Sequence, residues 1–536
     1  MANPIQHIFV LMLENRSFDH MLGFSGLTGL DASTGSATEI LGLTQLSLRS
    51  LANAMGVGTA SGMALRKGQH WPPPPPISMR DLFTTNQYNG QSFLAGTQAD
   101  YAMTSDPNHE FPDVLTQLCG PQAVYPPGGV YPPVTNGGFV ASFAAVNSLS
   151  PGGIMQCYIP SQLPVLNALC QEFAVCDHWY SSLPGPTWPN RFFSHAASSG
   201  GLDHSPSTGD ILEWDSIDGF SFPNGTIFDR LKNNNNSWRI YAGDDFPVVA
   251  ALKGIQVTDV HSYSNFSSDV AQAGYAASYT FIEPNYRSLF DYRCGTSQHP
   301  LDDVTRGEAL IKSTYEAIRN SPIWNSSLLI ITWDEHGGFF EHVAPPGAVA
   351  PGDTGINNSS NKYKFTFEQL GPRVPAVAIS PLIPRNQIDH RVYDHASIPA
   401  TLEACFGLSP LTQRDAKANN LMALVSLSNP RNDAPAALPA PAASGVTGCG
   451  PVSFEARVRT EAAGPMVEPV TRPLDSVDDQ NNPGFLFTVL RADLALSTPA
   501  EGPGILARFK TIQTRADAAQ YVSEVQPKVR SARNGG

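Results

Sequence analysis

The sequence predicts an α/β fold, and three observations carry that prediction. Apolar runs of strand length recur along the chain, helix-compatible stretches lie between them, and an acidic pair stands directly after two of the runs. Residues 8–13, 279–282, 328–333 and 374–379 are short, continuous apolar runs bounded by polar residues or proline, as expected of strands buried on both faces of a parallel sheet. Before the third run, Asp302 and Asp303 can cap a helix in which Val304, Leu310, Ile311, Tyr315 and Ile318 recur at roughly helical spacing, until Asn320-Ser-Pro322 stops it. Such a helix delivers the chain to residues 328–333 as a βαβ crossover would. After the fourth run, residues 397–407 predict a second helix that ends at Gly407.

A chain of 536 residues can bury one large catalytic domain with insertions, and residues 1–428 are assigned to it. Between about residues 25 and 160 the chain is rich in glycine and proline, with Trp71 leading five prolines and Tyr125-Pro-Pro-Gly-Gly-Val-Tyr-Pro-Pro133. These read as long excursions over the sheet edge, either stiff connectors or a lid. Residues 429–451 shift to alanine, proline and glycine, as a linker does. The extension 452–536 offers one helix candidate, residues 514–530, and a strand-like piece at 485–490. It shows no chemistry of its own.

With 33 basic and 47 acidic residues the net charge is -14, which disfavours nucleic acid and anionic membranes as long-range partners. A single phosphate group is still compatible, because a bound metal inverts the local field. No run approaches the roughly 20 apolar residues of a transmembrane helix, and no basic region followed by an apolar core opens the chain. The expectation is a protein without a transmembrane segment, either cytoplasmic or exported with its signal removed. The seven cysteines show no zinc-type spacing and read mostly as small core residues. Their odd number fits a reduced interior, while one or two disulfides in an exported form are left open.

The chemistry centres on Thr187. It sits in the turn-forming run Leu183-Pro-Gly-Pro-Thr-Trp-Pro-Asn-Arg191, before the helix-compatible stretch 192–197. A hydroxyl at a helix N-terminus meets unpaired N–H groups where a phosphate ester would be held, so Thr187 is a candidate nucleophile. The alternative is an N-cap threonine in a surface turn. Glu14-Asn15 and Asp334-Glu335 each follow a predicted strand, and ligands of open α/β sheets bind beyond the carboxyl ends of strands. Together with Thr187 they form an oxygen-rich set suited to calcium, magnesium, manganese or zinc. Taken one at a time, each pair could equally be a solvated loop cap.

Four blocks, Glu14-Asn-Arg-Ser-Phe-Asp-His20, Gly185-Pro-Thr-Trp-Pro-Asn-Arg191, Trp333-Asp-Glu-His-Gly-Gly338 with Glu341-His-Val343, and Tyr393-Asp-His-Ala-Ser397, resemble the signatures of the bacterial phospholipase C and acid phosphatase family of phosphoesterases. They occur in the family's order over residues 5 to about 415. The resemblance implies an alkaline-phosphatase-like fold, a mostly parallel central sheet flanked by helices. It further implies a divalent metal held by Glu14, Asn15, Thr187, Asp334 and Glu335, with Thr187 forming a phosphothreonine intermediate. His109 and His299 match positions where the family places phosphate-facing histidines. His336, His342 and His395 are expected to orient neighbouring groups, and His20, His178 and His195 to be structural.

The expected substrate is a phosphate ester, foremost a phospholipid at a membrane surface, cleaved in the manner of phospholipase C. Acid phosphatase activity on monoesters is the alternative, and a non-catalytic phosphate- or lipid-binding relative is a third reading. A sulfatase is disfavoured because no cysteine occupies the nucleophile position.

Overall fold

Seven consecutive buried side chains in His7–Leu13 (β1) require a strand covered on both faces. The computed structural model, which describes residues 4–43, 85–213, 218–287, 292–454, 472, 474–477 and 481–534, places β1 near the middle of a ten-stranded mixed sheet. The strands that follow are β2 (Thr28–Asp31), β3 (Ala37–Glu39), β4 (Thr85–Tyr88), β5 (Gln91–Leu94), β6 (Ala174–Cys176), β7 (Trp238–Ala242), β8 (Val260–Ser262), β9 (Tyr279–Glu283), β10 (Ser327–Trp333), β11 (Ala376–Ile379) and β12 (Gln387–Asp389). Their order is β3-β2-β12-β6-β11-β10-β1-β9-β7-β8, with β4 and β5 forming a separate hairpin.

On either side β1 pairs in parallel with β10 and β9, and its last residue, Leu13, lies opposite Trp333. Glu14 and Asp334 are therefore the first residues past two adjacent strand ends. This register, set by apolar runs that must stay buried, is what brings the two acidic pairs together.

Among the helices used below are α1 (Phe111–Cys119), α2 (Pro164–Glu172), α3 (Thr187–Ala196), α4 (Val304–Arg319), α5 (Ser397–Phe406), α6 (Asn482–Ala495), α7 (Gly502–Phe509) and α8 (Arg515–Asn534). α4 carries the chain from β9 to β10, and the Asp303 side chain accepts from Thr305 N at its start, as the sequence predicts. α5 stops at Gly407, whose φ of 68° suits a residue without a Cβ.

Three expectations change. The run 374–379 enters the sheet as β11 antiparallel to both β10 and β6, so the sheet is mixed rather than parallel throughout. A fully buried apolar run carries no record of direction, which the preceding connection decides. Residues 485–490 are helical within α6, apolar on all sides and enclosed between the catalytic body and α8. A short apolar run is ambiguous between strand and helix, and here a partner existed on every side. The helix after Thr187 begins at Thr187 itself and ends at Ala196, with Ala197 left-handed at φ 51°.

The cysteines also divide. Cys294 and Cys449 form a disulfide, while Cys157, Cys170, Cys176 and Cys405 are buried thiols and Cys119 is partly exposed. The Ala/Pro/Gly-rich segment runs along α4, whose Tyr315 hydroxyl donates to Pro435 O at 2.7 Å and whose Arg319 donates to Ala434 O at 2.8 Å. The Trp71 proline run lies outside the described residues.

Candidate active site

Beyond the carboxyl ends of β1 and β10 the chain turns sharply. Asn15 adopts a left-handed conformation with φ 58°, which asparagine tolerates better than most residues. Its backbone N–H donates to Asp334 Oδ1 at 2.9 Å, and Arg16 N donates to Glu335 O at 2.9 Å, tying the two loops together. Gly337, at φ 64°, permits this approach, because a Cβ there would lie 2.2 Å from Asn15 O.

Thr187 occupies the first turn of α3, after Pro186 at the cap position. It is fully buried, and its hydroxyl does not cap its own helix. Oγ1 donates instead to Asn15 Oδ1 at 3.2 Å, which sets aside the reading of a surface N-cap. One helical turn on, Arg191 donates from Nε to Asp334 Oδ2 at 2.8 Å and from Nη2 to Leu13 O at 2.9 Å. Arg191 belongs to the Gly185-Pro-Thr-Trp-Pro-Asn-Arg191 block, and its spacing of four from Thr187, which puts both on one helix face, is the local signal for this role.

Glu14, Asn15, Thr187, Asp334 and Glu335 are thus all buried at one end of the sheet. Asp334 has both oxygens engaged, Oδ1 by the N–H groups of Asn15 and Glu335 and Oδ2 by Arg191. Both carboxylate oxygens of Glu14 and Oε1 of Glu335 lack a close donor, although all are buried and Ser297 interacts with Glu14. Burial and the nearby Asp334 charge push the Glu14 pKa well above its usual value, with Arg191 and His109 opposing. Burial likewise raises Asp334 to about 6 despite Arg191.

His109 and His299 meet at the edge of this group, with ring centroids 6.5 Å apart. His109 Nδ1 faces Pro107 O at 2.9 Å, and Nε2 lies 3.4 Å from Asn15 Nδ2 and 4.0 Å from Glu335 Oε1. Burial works against the His109 imidazolium, but Glu335 and Asp106 outweigh it and raise the pKa to about 9. His299 Nε2 lies 3.5 Å from Asp106 Oδ2, and its ring stacks on Tyr292 at 3.4 Å. Burial, then the charges of His109 and Arg16, hold His299 well below its usual pKa.

The remaining histidines separate by neighbour. His336 Nε2 donates to Gln117 Oε1 at 2.7 Å while Nδ1 lies 3.2 Å from Glu335 Oε2, and Gln117 Nε2 donates to Asn108 O beside His109. His395 bonds the Asp334 carbonyl and accepts from Trp179 Nε1 at 3.3 Å. His342 belongs elsewhere: its Nδ1 meets Asp19 Oδ2 at 2.6 Å, in a cluster with Glu341 and Arg373. His20 stacks on Phe339, His178 bonds Asp177, and His195 packs edge-on against Phe281.

Among the described residues, two trios of acidic and histidine groups bring their ligand atoms within 4.8 Å of one another: Asp19–Glu341–His342 and Asp177–His178–His390. Glu14, Asp334 and Glu335 are not one of them. The first trio already holds a cation, since Arg373 Nη2 lies 2.7 Å from Glu341 Oε1 and 3.2 Å from Asp19 Oδ1. In the second, Asp177 accepts from His178, His390 and the backbone N–H of Leu41.

One contact comes from a part of the chain in which no chemistry was legible. Asn481, immediately before α6, donates from Nδ2 to Thr187 Oγ1 at 3.1 Å.

A buried hydroxyl at a helix N-terminus, flanked by uncompensated carboxylates and two histidines beyond the carboxyl ends of a mostly parallel sheet, is suited to the hydrolysis of an anionic ester. Residues 5–409 match the phosphoesterase family, and the chain belongs to it. It is a phosphoric ester hydrolase. Non-specific phospholipase C3 of Arabidopsis thaliana is 34% identical over 453 residues, covering 82% of this chain and 76% of the relative. Phospholipase C B of Mycobacterium tuberculosis is 25% identical over 477 residues, covering 80% and 79%. A solved alkaline phosphatase superfamily protein from Vibrio parahaemolyticus overlaps 50% of this chain and 63% of its own, less than two thirds, at 15% identity and a TM-score of 0.28.

Proposed function

We propose that this hydrolase is a phospholipase C-type phosphodiesterase that cleaves the glycerol-side P–O bond of a phospholipid, with Thr187 as nucleophile. The observation that carries the reading is the burial of the Thr187 hydroxyl, bonded to Asn15, at the same end of the sheet as the buried Glu14 and Glu335, which lack close donors at Glu14 Oε1 and Oε2 and at Glu335 Oε1. A buried carboxylate without a partner is costly, and an external cation is the group that would relieve it. The phospholipase C names of the relatives support the diester substrate.

Glu14, Asn15, Thr187, Asp334 and Glu335 would hold a divalent cation, and their all-oxygen chemistry fits calcium, magnesium or manganese and also zinc. When bound, such an ion lowers the pKa of the hydroxyl and neutralises phosphoryl charge. Thr187 Oγ1 forms a bond to phosphorus as the bond from phosphorus to the glycerol oxygen breaks. The alcohol gains one proton and Thr187 loses one, and His109 and His299 are the groups assigned to carry it and to hold the phosphoryl oxygens. Water then breaks the Thr187 O–P bond and releases the head group as a phosphomonoester. Arg191 keeps Asp334 ionised and in place throughout.

The test compares hydrolysis of p-nitrophenyl phosphorylcholine with that of p-nitrophenyl phosphate. The diester is expected to be the faster substrate, and Thr187→Ala to lose at least about 1,000-fold in kcat on it. A strong preference for the monoester would turn the assignment to an acid phosphatase. A Thr187→Ala variant as active as the parent would remove the nucleophile.

A further inference from the structure

Asn481 stands at the cap position of α6, where an asparagine ordinarily accepts a hydrogen bond from its own helix. It makes no such bond. Its side chain, only 1% exposed, is turned into the catalytic body, where Nδ2 donates to Thr187 Oγ1. The orientation of the amide follows from its other end, since Oδ1 faces the Ser205 hydroxyl at 3.5 Å, an acceptor facing a donor. Asn481 also interacts with the hydroxyl of Tyr292, the ring that stacks on His299.

The helix that carries Asn481 is firmly seated. A Cβ on Gly484 would lie 2.1 Å from the indole of Trp188, the neighbour of Thr187, so this glycine lets the helix backbone rest directly on α3. Phe485 packs edge-on against Trp188, Phe487 does so against Phe220, and Arg491 donates to Leu252 O at 3.0 Å and Asp218 O at 2.9 Å. A helix buried on all its faces belongs to the folded core rather than to a loosely docked cover.

We propose that Asn481 is a further catalytic residue of this enzyme, supplied by the C-terminal extension. Its carboxamide holds the Thr187 oxygen in one rotamer for attack and stabilises the charge that oxygen carries in the transition state. The hydroxyl has one hydrogen, given to Asn15, and two lone pairs. Asn481 takes one lone pair, and loss of the hydroxyl proton frees a third, so that one remains for a cation and one to face phosphorus. The amide donates a hydrogen bond and keeps its proton, so the bonds formed and broken are those of the threonine mechanism, on which this inference rests. The active site is then composite, complete only when residues 294 positions apart are folded together.

The experiment uses the full chain and three variants: Asn481→Ala, the isosteric Asn481→Asp, and Thr187→Ala. Each is checked by circular dichroism and thermal unfolding and assayed for kcat and KM on p-nitrophenyl phosphorylcholine, with acid-quenched intact mass reporting phosphorylated protein. Asn481→Ala is expected to lower kcat about 10- to 100-fold with KM within about threefold. Asn481→Asp keeps the shape, and it is expected to be slower still because a carboxylate faces the oxygen where a donor stood. A packing role alone would lower the melting temperature and leave kcat per folded molecule unchanged.

If Thr187→Ala is inactive while both Asn481 variants keep kcat within twofold of the parent, the inference fails and the nucleophile stands. If the Asn481 variants are faster than the parent, the contact obstructs the hydroxyl and the inference fails as well. If Thr187→Ala keeps full activity, the threonine mechanism itself is lost, whatever Asn481 does. Should Asn481→Ala not fold, the isosteric aspartate decides by the same criteria.

Discussion

Two buried acidic clusters lie on neighbouring loops of this protein and solve the same electrostatic problem differently. In one, Asp19 and Glu341 share Arg373 and His342. Burial disfavours both carboxylates and raises Glu341 to about 7 despite Arg373, yet His342 and Arg373 hold the Asp19 pKa below the usual range. In the other, Glu14, Asp334 and Glu335 share Arg191, which among them bonds only Asp334 and also lies 4.0 Å from Glu283, and His109, whose Nε2 lies 4.0 Å from Glu335 Oε1. For Glu14, burial and the Asp334 charge outweigh Arg191, His109 and the Ser297 hydroxyl, and its pKa rises. A cluster that supplies its own cation is structural. A cluster whose carboxylates outnumber its close cations keeps raised pKa values, a pattern common at functional sites.

The largest contrast is expected from removing one charge in each setting, an acid from one cluster and the arginine from the other. Glu14→Gln is expected to lower activity by at least about 100-fold while leaving denaturant stability in chelator unchanged or raised relative to the parent, because a buried charge is removed. Arg373→Ala is expected to do the reverse, costing about 3–5 kcal/mol by stranding Asp19 and Glu341, with activity lost only in proportion to unfolding. Urea unfolding and assays on the same samples read both. Equal stability losses would erase the distinction.

A smaller effect sharpens the same point. Stripping divalent ions with a chelator should lower the stability of the parent by about 2–3 kcal/mol relative to protein with saturating ion, and should leave Glu14→Gln unmoved. Calorimetry with calcium, magnesium, manganese or zinc added back singly identifies the ion. A parent melting curve indifferent to chelation and add-back would place the cation elsewhere.

The mildest effect concerns Asp177, a carboxylate satisfied by neighbours rather than by an ion. Burial disfavours its charge, but His390 and His178 outweigh that and hold its pKa far below the ordinary value. A depressed folded-state pKa contributes stability that is present above the unfolded value of about 3.9 and is lost as pH falls through and below it. Asp177→Asn should therefore cost about 2 kcal/mol at pH 7, a penalty that shrinks below about pH 4. Unfolding curves between pH 3 and 7 check this, and a penalty constant with pH would reject it.

Much of the architecture was legible because burial leaves local marks. The runs behind β1, β9 and β10 are continuous and apolar, since strands covered on both faces must be, and Asp303 announces the start of α4 through its hydrogen-bonding chemistry. The acidic pairs and Thr187 stood out because carboxylates at strand ends and a hydroxyl ahead of a helix are unusual against those marks. What stayed hidden is non-local. The antiparallel course of β11 depends on how the chain returns to the sheet, and the assignment of His342 to the Arg373 cluster depends on which loop it faces.

Local pattern sufficed for the central strands β1, β9 and β10, for the crossover helix, and for the acidic pairs and hydroxyl that stand out beside them, because periodicity and side-chain chemistry act over a few residues. Only the tertiary structure decided that Arg191 serves Asp334, that Gly337 lets the Asn15 loop close, and that an asparagine from the far end of the chain reaches Thr187. Those contacts join segments whose spacing in sequence carries no period. They arise from how packed helices and strands divide a shared interior, and a one-dimensional pattern holds no record of that division.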